Sequence, residues 1–178
     1  MSARYAEIKN HDAAFVALSN LKRKGYKNIK LDLCGEGTGS NNSDLLEKLK
    51  QYQIEDEVTL IGVDKSFREN IKNYDVVLLP SKSEAFPLVI PEAMLMGVPC
   101  IASSVGDIPL VIGSNGWLID PNKEKDLEVA IIEALNMRSF DNNSWETLKK
   151  MCSESTKNNF GIEKTINEYY SCLEEGKF

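Results

Sequence analysis

Two carboxylates, Glu84 and Glu92, stand with seven residues between them in the stretch Ser81-Lys82-Ser83-Glu84-Ala85-Phe86-Pro87-Leu88-Val89-Ile90-Pro91-Glu92. Paired acids commonly serve as general acid and general base, but the setting of this pair points to binding. Residues 74–80 form an apolar, β-branched run that ends at Pro80 and predicts a buried strand. Residues 87–97 predict a helix with proline in its first turns, stopped at Gly97-Val98-Pro99. Such a junction aims free backbone N–H groups and the positive end of a helix dipole at one spot, which suits an anion. Acids beside an anion would repel it, so they fit neighbouring hydroxyl groups instead. Phosphate and polyol in one crevice describe a sugar nucleotide.

The elements around this junction alternate between helix and strand. Residues 13–24 carry Phe15, Leu18 and Leu21 on one face, and Gly25 stops the helix. Residues 29–34 predict a strand, and Gly35-Glu36-Gly37-Thr38-Gly39 turns the chain. A helix over 45–52, a strand over 58–61 and a short helix over 67–72 follow. Beyond the junction come short strands over 98–102 and 117–119. Residues 123–136 are amphipathic, with Leu127, Ala130, Ile131, Ala134 and Leu135 in one stripe. Repeated β-α-β units with buried strands predict an α/β fold: a doubly wound, Rossmann-like parallel sheet in one domain over residues 1–178. Residues 140–178 form a helical tail, interrupted near Gly161. In that architecture ligands sit at the carboxyl ends of the strands, where the Gly35 loop, the Gly62 turn and the Glu84 junction should converge.

Composition narrows the function classes. The 178 residues are 42% hydrophobic and 27% charged, ordinary for a globular domain. A net charge of −6 argues against a general nucleic-acid surface. No apolar run approaches ~20 residues, so no membrane span is expected. Cys34, Cys100, Cys152 and Cys172 are scattered, as in the reduced core of a cytoplasmic protein. His11 is the single histidine, which makes a histidine-rich metal site or a pair of catalytic histidines unavailable. It is expected to cap or pack at the first helix.

A competing signal lies upstream. The run 31–39 resembles the first motif of S-adenosylmethionine-dependent methyltransferases, and Asp64, after Val58-Thr59-Leu60-Ile61-Gly62-Val63, imitates their ribose-binding acid. Asp64 follows Gly39 by 25 residues, where such units usually need about 20. This reading leaves residues 81–120 without a role. Asp64 is more simply a helix cap before Ser66-Phe67, and the Gly35–Gly39 loop a structural turn.

The pattern Ser83-Glu84-Ala85-Phe86-Pro87-Leu88-Val89-Ile90-Pro91-Glu92-Ala93-Met94, with Gly97-Val98-Pro99, resembles the donor-binding half of retaining GT-B glycosyltransferases of family 4, also described as glycosyl transferases group 1. Residues 3–12 look like that family's opening strand and basic loop. Val105-Gly106-Asp107-Ile108-Pro109 and Asn115-Gly116-Trp117-Leu118-Ile119-Asp120-Pro121 are similar to its later segments. The similarity runs over about residues 3–135 in order and spacing.

The resemblance implies a division of roles. Glu84 accepts hydrogen bonds from donor-sugar hydroxyls, and Arg4 and Lys9 bind the diphosphate; these three form the catalytic set. The backbone amides of Phe86, Leu88 and Val89 face the diphosphate. Glu92 bridges two ribose hydroxyls, and Gly62 and Val63 line the nucleobase pocket. The cations stand in for a divalent ion, so no metal and no cofactor is expected beyond a UDP- or GDP-sugar donor. Three departures stand out: Ala85 and Pro87 where the family often has glycine, Leu110 where a glutamate is common, and the lack of a preceding acceptor-binding domain. The resemblance therefore implies a hexosyltransferase of glycan, lipid-linked or small acceptors that is inactive without an N-terminal partner domain. Any peripheral membrane contact falls to that absent half. A noncatalytic sugar-nucleotide-binding module stays open beside it.

Overall fold

The computed structural model describes residues 1–162, 164, 166, 170 and 171. The chain leaves an amino-terminal segment through a 3-10 turn, Glu7–Lys9, into helix α1, His11–Arg23. Strands β1, Leu31–Cys34, and β2, Val58–Gly62, pair in parallel; α2, Ser43–Tyr52, connects them. After α3, Phe67–Asn70, the chain crosses back to β3, Val77–Leu79. There β3, β4 (Cys100–Ser103) and β5 (Gly116–Ile119) form a second parallel sheet in that order. Helices α4 (Val89–Leu95) and α5 (Ile108–Ile112) make the crossovers, and α6 (Asp126–Phe140) and α7 (Asn142–Phe160) complete the order.

The layers follow from strand alternation, since successive side chains point to opposite faces. Leu31, Leu33, Ile101 and Ile119 pack with α1, α2 and α6 in one core cluster. Cys34, Val77, Leu79, Cys100 and Ala102 pack with α3, α4 and α5, and with Cys152 of α7, in the other. Helices thus cover both faces, and the expected doubly wound α/β architecture is present. The turn from outward winding (β1, β2) to the opposite direction (β3, β4, β5) places the topological switch beside the amino-terminal segment.

Local chemistry sets most boundaries. Asn42 caps α2 by accepting a 3.1 Å bond from the Leu45 N–H, worth about 1 kcal/mol. Asp141 does the same for α7 through the Ser144 N–H at 3.0 Å. In β2 the register slips so that Cys34 faces Gly62. That bulge swings the Gly62-Val63 turn toward the Gly35 loop, where the Gly35 N–H donates to the Gly62 carbonyl at 2.7 Å.

Three expectations need correction. The helix after the Glu84 junction starts at Val89, with Leu88 at its N-cap, so Pro87 lies before it and Pro91 sits in its first turn. The segment over residues 3–12 is no strand: only Ser2 bridges to Cys34, and the rest is turn and helix. Helix α5 was not anticipated; its five residues are carried by burial of Ile108, Val111 and Ile112 rather than by a long periodic pattern. Cys34, Cys100 and Cys152 are buried free thiols. Cys172 and much of the tail beyond Phe160 fall outside the described residues.

His11 packs, as expected of it, between the rings of Tyr5 and Phe15, at centroid distances of 5.1 and 6.3 Å. It is 3% exposed, and neither ring nitrogen has a hydrogen-bond partner among the described residues. Burial, aided by the nearby Met1 ammonium, pushes its imidazole down to about 4. The unfolded chain then binds a proton between pH 6.5 and about 4 that the native state refuses. Stability from this group is complete above pH 6.5 and is lost as pH falls to about 4, on the order of 3 kcal/mol in all. His11→Leu is expected to flatten that part of the profile. Urea unfolding of both proteins between pH 7 and 4.5 checks it, and parallel slopes would refute it.

Candidate functional site

The amino-terminal segment assembles the site by crossing the carboxyl ends of both half-sheets. The Ala3 N–H donates to the Cys34 carbonyl at 2.9 Å and the Tyr5 N–H to the Glu36 carbonyl at 2.7 Å. Three residues later the Ile8 carbonyl accepts from the Lys82 N–H at 2.8 Å. The 3-10 turn thereby brings Lys9 over the β3–α4 loop. Its Nζ lies 2.6 Å from Glu84 Oε1, with side chains only 19% and 10% exposed. Ser81, fully buried, donates to the same Glu84 oxygen at 2.7 Å. Its burial and this bond make Ser81 the residue that holds Glu84.

The other wall of the loop is equally constrained. Gly106 lies against the carbonyls of Glu84 and Ala85; a Cβ there would sit 2.1 and 2.5 Å from those oxygens. Its φ of +53° lies in the left-handed region as well. The neighbouring Asp107 N–H donates to the Ala85 carbonyl at 2.9 Å. The β4–α5 loop thus clamps the backbone that carries Glu84.

A cleft of about 620 Å³ opens beside this cluster, lined among others by Gly35, Val63, Asp64, Leu88, Val89 and Glu92. Arg68 of α3 reaches across it to Glu92, Nη2 to Oε1 at 3.1 Å. Arg68 carried no sequence signal, because a four-residue helix shows no periodicity and the arginine belongs to no motif. At 69% and 29% side-chain exposure this pair adds little stability; its importance is the orientation it gives the Glu92 carboxylate.

The predicted site residues therefore fall into two adjoining groups. Val63, Leu88, Val89 and Glu92 share the cleft, while Lys9 and Glu84 form the ion pair at the neighbouring loop. Gly62 is buried behind Val63, and Val63 itself is 75% exposed. The Phe86 ring packs on that of Phe160, centroids 5.9 Å apart, and the residue stays partly exposed. Arg4 is exposed and makes no hydrogen bond or ion pair among the described residues. Helix α4 begins at Val89; the Ile90 N–H donates to the Pro87 carbonyl at 3.1 Å and Pro91 carries no N–H, so within its first turn the Val89 N–H is the one left without an acceptor in the helix. Among the described residues no three His, Cys, Asp or Glu side chains gather as a metal site, and no helix is long and apolar enough to cross a membrane.

The Gly35 loop has a structural explanation. A Cβ on Gly35 would stand 2.4 Å from the Ala3 carbonyl, and one on Gly37 would stand 3.1 Å from the Tyr5 Cβ. These glycines admit the amino-terminal segment. Asp64 accepts from the Ser66 N–H and hydroxyl at 2.8 Å each, capping its own turn.

The family model for glycosyl transferases group 1 matches residues 1–158. The chain belongs to that family. It is 33% identical over 147 residues to N-acetyl-alpha-D-glucosaminyl L-malate synthase of Bacillus anthracis, covering 79% of this chain and 38% of that protein. Protein CapJ of Staphylococcus aureus is 28% identical over 182 residues, covering 96% and 45%. Among solved structures, a glycosyltransferase of Rickettsia africae superposes with a TM-score of 0.84 at 20% identity, over 98% of this chain and 46% of that one. Anabaena Alr3699/HepE in complex with UDP superposes at 0.81 and 21%, over 97% and 47%. These structures share the GT-B fold, and the chain spans less than half the length of each of these relatives.

The clamp on the Glu84 loop is testable. Gly106→Ala is expected to cost at least about 2 kcal/mol, from left-handed backbone and the clash with the Glu84 carbonyl. Chemical unfolding measures it, and a wild-type midpoint would show that the loop is not held there.

Proposed function

We propose that this chain is the donor-binding, C-terminal half of a retaining family 4 glycosyltransferase, transferring a hexosyl group from a nucleotide diphosphate sugar. The observation that carries the reading is the Lys9–Glu84 pair at 2.6 Å beside a cleft holding Glu92. In this reading Lys9 is the cation for the diphosphate, Glu84 the acid for sugar hydroxyls and Glu92 the acid for the ribose. The family membership supports transfer chemistry, and HepE structures in complex with UDP and with UDP-glucose support a uridine donor over a guanosine one as the first to try.

In this reading Glu84 has two duties. It fixes the Lys9 ammonium in place, and its second carboxylate oxygen accepts from sugar hydroxyls. Cleavage of the glycosyl–phosphate bond builds negative charge on the departing diphosphate, which Lys9, the exposed Arg4 and the amides of Phe86, Leu88 and Val89 stabilise. Those cations make the reaction metal-independent. Arg68 steadies one oxygen of Glu92 and leaves the other for the ribose. The Gly62-Val63 turn borders the base. The acceptor and any activating group come from a partner domain, so residues 1–178 alone bind donor weakly and transfer poorly. The setting is cytoplasmic polysaccharide or glycoconjugate synthesis.

Two measurements test this. UDP or GDP is expected to raise the thermal midpoint, Glu92→Ala to abolish the rise, and S-adenosylmethionine to have no effect; stabilisation by the last alone would overturn the reading. In a form of the enzyme that carries its acceptor domain, Lys9→Ala is expected to lower kcat by 10²–10³-fold, about 3 kcal/mol, as for loss of an oxyanion-hole donor. Near-normal turnover would refute the role given to Lys9.

A further inference from the structure

The backbone that carries the amides of Phe86, Leu88 and Val89 is held unevenly. Ahead of Phe86, the Ala85 carbonyl accepts from the Asp107 N–H at 2.9 Å. Behind it, the Pro87 carbonyl accepts from the Ile90 N–H at 3.1 Å and the Leu88 carbonyl from the Glu92 N–H at 3.0 Å. Between these points, neither the N–H nor the carbonyl of Phe86 makes a backbone hydrogen bond among the described residues. Pro87 follows with no N–H to give. Residue 86 is therefore fixed through its side chain, and the ring it meets is that of Phe160, the last residue of α7.

Helix α7 is placed to deliver that ring. Its backbone runs against the end of α4, where a Cβ on Gly97 would stand 3.4 Å from the Lys149 carbonyl. Farther along, Ser153 Oγ donates to the Leu95 carbonyl at 2.9 Å, and the buried Cys152 thiol reaches the Asn115 carbonyl at 3.1 Å. Phe160 then meets Phe86, with centroids 5.9 Å apart and planes tilted by 54°, within the range where aromatic pairs attract. These contacts run in opposite chain order on the two helices, so α7 lies antiparallel along α4. The rise from Ser153 to Phe160, about 10 Å, equals that from Leu95 back to the Leu88 N-cap. A Cβ on Gly161 would stand 2.3 Å from the Lys157 carbonyl, so glycine there lets the last turn close with Phe160 as its final helical residue.

We propose that Phe160 is a positioning residue: α7 is a splint along α4 whose last ring pins Phe86, and with it the free amides of Phe86, Leu88 and Val89, in one arrangement. Its bearing on donor affinity rests on the donor-binding reading above, in which those amides face the diphosphate. Unpaired N–H groups on one short loop repel one another and gain nothing from alignment until an anion arrives. Without a brace the ligand has to order them, and that ordering is subtracted from affinity. Glu84 and Glu92 are held by other means, the first by Lys9 and Ser81 and the second by Arg68. Phe160 carries no charged or polar group on its ring, so its contribution is confined to holding the backbone.

Amide exchange and UDP binding by calorimetry, compared in the wild-type chain, Phe160→Ala, Phe160→Tyr and Leu148→Ala, test this. Leu148 packs α7 into the same core cluster but lies about three turns before Phe160, so its truncation lowers stability without removing the ring pair. Phe160→Ala is expected to speed exchange of the Asp107 and Ile90 amides, whose acceptors are the Ala85 and Pro87 carbonyls, about ten-fold. It is also expected to weaken UDP binding about five-fold or more. Phe160→Tyr keeps the ring and is expected to match the wild type in both. Leu148→Ala is expected to lower the thermal midpoint and leave both near wild type. Unchanged exchange at Asp107 and Ile90 in Phe160→Ala would overturn the proposal. So would Leu148→Ala acting as strongly as Phe160→Ala on exchange and binding, because α7 would then act through overall stability alone. Faster exchange with UDP affinity unchanged would overturn it too, by separating the order of the loop from the work of its amides. A wild-type chain that binds neither UDP nor GDP would remove the donor-binding reading, and the exchange comparison would still decide whether Phe160 holds the loop.

Discussion

The hydrogen bonds of residues 1–9 to both half-sheets govern everything else in this molecule. On one side Met1, Ala3 and Tyr5 bond to β1 and the loop after it; on the other, Ile8 bonds to Lys82 and Lys9 pairs with Glu84. Five residues of connecting chain thus span from the carboxyl end of β1 to the carboxyl end of β3. Strands that are not neighbours are held in register at the point where ligands bind in doubly wound sheets. The close approach is possible only because Gly35 and Gly37 present no side chain to Ala3 and Tyr5. Glycines that resemble a cofactor loop are thus spent on backbone packing.

The same strap explains why the Lys9–Glu84 pair is well formed although both groups are largely withdrawn from water. A half-buried ion pair is costly unless its remaining hydrogen-bonding capacity is met and its geometry is fixed. Ser81 supplies a second donor to Glu84, and the Gly106–Asp107 loop fixes the backbone beneath it. Lys9 has no freedom to search, because the 3-10 turn that carries it is tied at Ile8. The two charged groups are thus held in place by the fold itself.

The fold was largely legible from pattern, because buried parallel strands and amphipathic α1 and α6 write strong apolar signals. Short elements were not. Helix α5 and the 3-10 turn at Glu7–Lys9 are held by tertiary contacts, and pattern over three to five residues carries almost no information. Of the expected site residues, Lys9 and Glu84 are brought together as an ion pair and Glu92 lines the adjoining cleft. Arg68 and Ser81 escaped because their roles depend on what a neighbouring element brings near: α3 across the cleft for one, the packed end of β3 for the other. Phe86 shows the converse, a motif residue whose ring packs against Phe160.

Order at the site and order in the sheet are linked through four residues. Met1 lines an interior cleft, and Arg4, three positions on, is exposed. Whatever stiffens the backbone at Met1 stiffens the stalk on which Arg4 stands. Side-chain entropy argues that this matters most for Arg4, since it lacks the partners that already hold Lys9. The sheet interior and the candidate site are mechanically joined by the bridge between Ser2 and Cys34.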